Sequence, residues 1–258
     1  MLNLEEIQKY YHNSQIISPK NQYREYLQFL ILRALYQSNI ANKIAFLGGT
    51  AIRIIHNSHR FSEDLDFDNF GLDFNQFIEA SRYVKSQLEL EGFVVEIKEV
   101  QKGAYHAYIK FPNILYENQL SEIRDEKILI QIDTVSQGYQ YTPDIFTLSK
   151  FGIAKNIAIT PVSILLSQKI YTAFNRKTTK GRDFFDIIYL MAFTKPDYGF
   201  LKFKLNINAA AAVKDYILSQ IESLNFEQLA MDVQPFLMNV KDSDNVLLFK
   251  NLIEKAEF

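Results

Sequence analysis

The chain has 258 residues and sets 28 Lys and Arg against 30 Asp and Glu, a formal net charge of −2. At 48 % hydrophobic and 22 % charged it can bury a full core, which excludes disorder, and its near-neutrality argues against an overall electrostatic hold on nucleic acid. The absence of Cys excludes disulfides, thiolate metal sites and a Cys nucleophile, while 9 Gly and 6 Pro are few enough to predict long regular elements.

The opening MLNLEEIQKYY is acidic and then amphipathic, unlike a secretory leader, and no stretch approaches the roughly 18 apolar residues of a membrane span. A cytoplasmic protein with no membrane association is expected. Ser18-Pro19 predicts a helix start, and Tyr23, Tyr26, Leu27, Leu30, Ile31 and Leu35 continue it at helical spacing. Residues 43–47 read as a buried strand stopped by Gly48-Gly49, residues 51–57 as a short helix, and residues 61–70 as an alternating strand. Asp73 is the N-cap of a helix running to about residue 91. Residues 93–100 and 105–111 form a hairpin, and ILIQIDTV gives a further strand over 127–135. Beyond residue 150 the pattern turns helical, at 160–176, at 182–193, and from about 206 to the end with breaks near Asn225 and Asp242. The expectation is an α+β protein: residues 1–150 hold N-terminal helices and a small mixed β-sheet flanked by helices, and residues 151–258 form a mostly helical half.

The chemistry concentrates in Phe46-Leu47-Gly48-Gly49-Thr50-Ala51 and Arg60-Phe61-Ser62-Glu63-Asp64-Leu65-Asp66-Phe67. Two glycines between a strand and a helix bring backbone N–H groups close to an anion, and Thr50 adds a hydroxyl at the helix N-terminus. Residues i and i+2 of a strand share a face, so Asp64 and Asp66 project side by side, about 7 Å apart along the backbone. Paired carboxylates repel unless a cation lies between them, and hard oxygen donors suit Mg²⁺ or Mn²⁺, with phosphates completing the coordination. A phosphate cradle beside metal-binding aspartates fits phosphoryl or nucleotidyl transfer. The bland readings are an ordinary glycine turn and a solvated strand face, and Asp68 has the same parity, so Asp66 with Asp68 is an alternative pair.

These motifs resemble the nucleotidyltransferase fold, and within it the AbiEii/AbiGii toxin family, which includes the MenT toxins. That family carries a GG-S/T turn and then an H-R-x-S-x-D-L/I-D-F run much like His59 to Phe67. Its register selects Asp64 and Asp66 over Asp68. A Lys and an Arg on one helix match Lys169 and Arg176, and K/R-D-x-x-D-L/I matches Arg182-Asp183-Phe184-Phe185-Asp186-Ile187. The resemblance spans residues 46–190. It implies an enzyme that transfers a nucleoside monophosphate from an NTP, with Mg²⁺ or Mn²⁺ on Asp64 and Asp66. Gly48, Gly49, Thr50, Arg60, Ser62, Lys169 and Arg176 would hold the nucleotide. Asp183 would orient Lys169 or the acceptor, and Arg182 and Asp186 would support that helix. Asp133, a lone acid in an apolar strand, would complete the metal site, act as base, or simply cap a turn. The helical half would bring Lys169 and Asp183 to the cleft. An RNA acceptor such as a tRNA 3′ end and a cognate antitoxin encoded nearby follow from the same likeness. A small-molecule or protein hydroxyl is the alternative acceptor, and a non-catalytic nucleotide-binding module the alternative class.

Two further signals come from the residues themselves. Lys169 and Arg176 are two helical turns apart and share a face, as do Asp183 and Asp186. A basic helix end, which the helix dipole favours in any case, explains the first pair equally well. Among His12, His56, His59 and His106, only His59 lies in the motif, and packing suits it better than catalysis. Charge is also segregated: residues 20–60 carry six basic side chains and one acidic, residues 61–100 ten acidic and three basic. An acidic metal centre between basic walls would have this distribution.

Overall fold

Breakers are scarce, and the core elements of the computed structural model, which describes residues 1–11 and 18–258, are correspondingly long. Two compact units form, one of Met1–His56 with Ser62–Ile159 and one of Asn57–Phe61 with Thr160–Phe258. The first contains, in chain order, α1 (Leu4–Gln8), α2 (Pro19–Leu35), β1 (Ile44–Leu47), α3 (Gly48–His56), β2 (Leu65–Asn69) and α4 (Phe74–Leu90). It continues with β3 (Glu96–Gln101), β4 (Tyr105–Phe111), α5 (Ile114–Glu117), β5 (Ile128–Val135), β6 (Asp144–Leu148) and β7 (Lys155–Ile159).

Helix α2 is buried nearly all round, as a helix without a polar face must be. It packs against α4, whose N-cap Asp73 and Gln76 form a reciprocal capping box. The sheet order is β3-β4-β5-β2-β1-β7-β6, with β2 parallel to β5, β1 parallel to β7, and the other neighbours antiparallel. Seven strands make this larger than the small sheet expected. The extra pair is β6 and β7, whose short, half-exposed runs give little periodic signal. Strand β2 is also shorter than expected, beginning at Leu65, and α3 starts at Gly48, so both glycines lie in its first turn.

In β5 the side chains alternate strictly. Ile128, Ile130, Ile132 and Thr134 are buried, while Leu129, Gln131, Asp133 and Val135 face outward. That alternation creates the polar face on which the acidic residues stand.

The second unit contains α6 (Val162–Asn175), α7 (Gly181–Met191), α8 (Tyr198–Leu205), α9 (Ala210–Ile221) and α10 (Phe226–Val233). Two 3-10 turns, Gln234–Phe236 and Val240–Ser243, precede α11 (Asp244–Leu247) and α12 (Phe249–Lys255). Asn57–Phe61 folds with this unit: Phe61 N–H donates to the Phe236 carbonyl at 2.7 Å and Met238 N–H to the His59 carbonyl at 2.9 Å. A core of Phe184, Phe226 and Phe249 stacks and crosses edge to face.

Candidate active site

The turn from β1 into α3 sets the geometry. Gly48 sits at φ +81°, a left-handed conformation that a side chain would strain, and β1 pairs Leu47 with Asp66 on β2. A Cβ on Gly48 would lie 2.2 Å from Asp66 Oδ2. Glycine is therefore what lets the first turn of α3, with its unsatisfied N–H groups and positive dipole end, come up against a carboxylate.

The approach to β2 is held from below. Gln28 Nε2 on α2 donates to the Ser62 and Glu63 carbonyls, both at 3.0 Å, and Arg24 pairs with Glu63 at 2.6 Å. The Thr50 hydroxyl, fully buried, donates to the Asp64 carbonyl. This fixes the backbone of Asp64 while its side chain stays exposed, and Asp66 is half-buried beside Gly48. Asp68, though of the same parity, is 1 % exposed and accepts the Asn69 and Gln137 N–H groups, both at 2.9 Å. It holds the strand end together, which leaves Asp64 and Asp66 as the accessible pair.

Strand register carries the row of polar residues onward. Asp66 on β2 pairs with Asp133 on β5, and Asp133 with His106 on β4. Directly paired residues face the same way, so the three side chains stand on one face of the sheet. His106 Nδ1 lies 2.6 Å from Asp133 Oδ1, and Gln131 Nε2 donates to both Asp133 oxygens, at 2.7 and 2.9 Å. No local pattern in the chain singles out His106. Only the hairpin register, three strands from β1, brings it to the acids.

Among the described residues no group of three or more His, Asp or Glu side chains is arranged to hold a metal ion. The carboxylates of exposed Asp64 and half-buried Asp66, hard oxygen donors beside a glycine turn, still fit a cation such as Mg²⁺, which keeps its waters and takes further ligands from phosphate.

The later motifs build a buried charge network in the second unit. Lys169 on α6 contacts Asp183 at 3.0 Å and Asp186 at 2.8 Å, both on α7. Arg176 contacts Asp183 at 2.8 Å. The Arg60 guanidinium, 2 % exposed, grips Asp186 through two nitrogens, Nε at 2.6 Å. Burial works against the Lys169 charge, but the Asp186 and Asp183 carboxylates outweigh it and hold the ammonium above its ordinary value. Burial likewise opposes ionisation of Asp183, and Lys169 and Arg176 override it, lowering its carboxyl. Arg182 lies over the Phe236 ring at 4.4 Å. His59 is exposed, 3.9 Å from Asp242, with its ring beside Tyr189, whereas burial pushes the His56 imidazole below its ordinary value. His12 lies outside the described residues.

A strand-to-helix turn that presents backbone N–H groups beside two carboxylates is the arrangement of a nucleotidyltransferase, and that is the class of this chain. A family model for the nucleotidyl transferase AbiEii toxin of type IV toxin–antitoxin systems matches residues 30–239, and the chain belongs to that family. Comparison with curated proteins gives no match. Two crystal structures from Helicobacter pylori share the fold. JHP933 superimposes with a TM-score of 0.56 at 18 % identity, covering 93 % of this chain and 94 % of its own. A second, assigned to the nucleotidyltransferases, gives 0.57 at 18 % identity, covering 93 % and 96 %.

Proposed function

We propose that the protein is a Mg²⁺- or Mn²⁺-dependent toxin that transfers a nucleoside monophosphate from an NTP to an RNA hydroxyl, with a tRNA 3′ end as the first acceptor to test. The observation that carries this reading is the contact of Gly48 with Asp66, which places an anion-binding helix start against the carboxylates. Asp64 and Asp66 hold the cation, which when bound stabilises charge on the reacting phosphate. The N–H groups of Gly48 and Gly49 receive the phosphates. Thr50 acts from beneath by fixing Asp64 rather than by meeting the nucleotide, since its hydroxyl is buried on the Asp64 carbonyl. Arg60, buried on Asp186, likewise acts as an anchor for that carboxylate rather than as a nucleotide contact. Lys169 is kept charged by its two carboxylates within the second unit, as a group that neutralises phosphate charge must be. Arg176 and Asp183 hold the Lys169 ammonium in place.

Family membership supports a cognate antitoxin that restrains this activity in the cytoplasm. The test is incubation with each of four labelled NTPs, total RNA, and Mg²⁺ or Mn²⁺. Label on tRNA that disappears with Asp66→Asn supports the reading. Label found only on protein or a small hydroxyl compound replaces the RNA acceptor, and no transfer with any NTP overturns it.

A further inference from the structure

One polar cluster on the open face of the sheet surrounds Asp133, the acid that the family likeness offered as metal ligand or base, and brings to it partners that no role above uses. Asp133 is gripped by two donors from its own face: His106, directly across on β4, and Gln131, two residues back on β5. A carboxylate only accepts, so the 2.6 Å contact is donation by His106 Nδ1–H. The other ring nitrogen, Nε2, lies 3.5 Å from the Lys102 carbonyl in the hairpin turn, and Tyr108 stacks beside the ring. The bond from Nδ1–H to Asp133 and the stacking on Tyr108 orient the ring, while Nε2, which then carries no proton, makes no hydrogen bond to that carbonyl.

A surface aspartate needs no such clamp for stability. Water would satisfy it, and the sheet core is already built by Ala107, Ile109, Ile130 and Ile132 on the opposite face. Yet the side chains of His106 and Asp133 are 20 % and 28 % exposed, within reach of a substrate. Asp133 also stands next to Asp66 in register, one strand spacing of about 4.8 Å away. Asp133 Oδ2 accepts from Gln131 and keeps a second lone pair for an incoming hydroxyl.

We infer that His106 is a positioning residue that fixes the Asp133 carboxylate toward the acceptor hydroxyl. The inference rests on the transfer reading above. In that step the acceptor oxygen forms a bond to the α-phosphorus as the bond from that phosphorus to pyrophosphate breaks, and pyrophosphate leaves with the electron pair. The hydroxyl proton passes to Asp133. The His106 N–H occupies one side of Oδ1, so that the carboxylate presents its remaining lone pairs in a single orientation instead of a rotating average.

The experiment compares His106→Leu, His106→Gln and His106→Asn in steady-state NMP transfer, with melting curves for each. Asn places an amide N–H where Nδ1–H stood; Gln reaches past it, and Leu only fills space. Loss of an orienting partner of this kind lowers turnover about 10–100-fold. The expected result is that fall in kcat for Leu and Gln, a KM for NTP within about twofold, and recovery by Asn to within about threefold of wild type. Unchanged turnover in the Leu variant overturns the inference. An equal loss in all three variants, Asn included, also overturns it, because His106 is then only a packing residue. A wild-type protein that transfers nothing overturns the parent reading instead, and the two failures are told apart by that control. An activity-free readout accompanies them: in nitrogen-resolved NMR, His106 is the Nδ1–H tautomer in wild type and loses that preference in Asp133→Leu. An Nε2–H tautomer in wild type overturns the inference.

Discussion

Gly48 concentrates two physical demands in one residue: a φ of +81° and a neighbour, Asp66 Oδ2, 2.2 Å from where a Cβ would stand. Gly48→Ala should therefore cost about 1–3 kcal/mol of stability from backbone strain alone. It should also displace the Asp66 carboxylate, so transfer activity falls by at least about a hundredfold even where circular dichroism shows the fold intact. Thr50 tests the layer beneath. Thr50→Val keeps the volume but removes the hydroxyl's hydrogen bond to the Asp64 carbonyl, which should cost about 0.5–1.5 kcal/mol by chemical denaturation, whereas Thr50→Ser should stay near wild type. If Val and Ser melt alike, the hydroxyl is not what fixes Asp64. The sequence announces these residues through spacing, since Gly-Gly before a helix and Asp-x-Asp are local patterns. It conceals the inward turn of the Thr50 hydroxyl, the burial of Arg60 on Asp186, and the approach of His106 to Asp133. Each of these depends on partners 14, 126 and 27 positions away in the chain.

At the scale of elements, the two motif helices of the second unit are locked by charge and by one glycine. A Cβ on Gly181 would fall 1.8 Å from the Leu229 carbonyl oxygen of α10, and its N–H donates to Asp232 at 2.9 Å. Gly181→Ala should push α7 off α10 and cost about 1–3 kcal/mol, read as a lowered denaturation midpoint. The ion network of α6 and α7 gives a pH signature. Asp183 has a carboxyl lowered from its ordinary 3.8, so its stabilisation is complete above that value and is lost as pH falls through it. Lys169 is raised above 10.5, so its contribution is complete below that value and is lost as pH rises past it. Both are in place across neutral pH. Asp183→Asn should lower the melting temperature at pH 7 and flatten the acid limb below about pH 4, and an unchanged acid limb would contradict the network's role. The helices themselves were largely legible, from Pro19, Asp73, Asn225 and the apolar spacing between them. Strands β6 and β7 were not, because Asp144, Ile145 and Thr147 are exposed and only Leu148 is buried in β6.

Across the whole chain, the opposed charge blocks have a use different from the one their order suggests. Of the six basic residues between 20 and 60, Lys20 pairs with Glu126, Arg24 with Glu63, Arg33 with Glu91, Arg53 with Glu25 and Arg60 with Asp186. Basic and acidic stretches thus meet as internal partners within each unit, and five of the proposed wall residues are already engaged. For the proposed RNA acceptor the five basic residues of 169–182 offer Lys177, which is exposed, and Arg176, which has 39 % of its side chain exposed. Few phosphate contacts imply a shallow salt dependence. For a single-stranded acceptor held at two or three phosphates, kcat/KM should fall about sevenfold to twentyfold between 50 and 200 mM salt. Transfer to a small hydroxyl acceptor should scarcely change. Measuring both slopes on one preparation decides the matter: a flat RNA slope means that the chain takes its acceptor without gripping the backbone, and a much steeper one means that a basic surface beyond these residues is engaged.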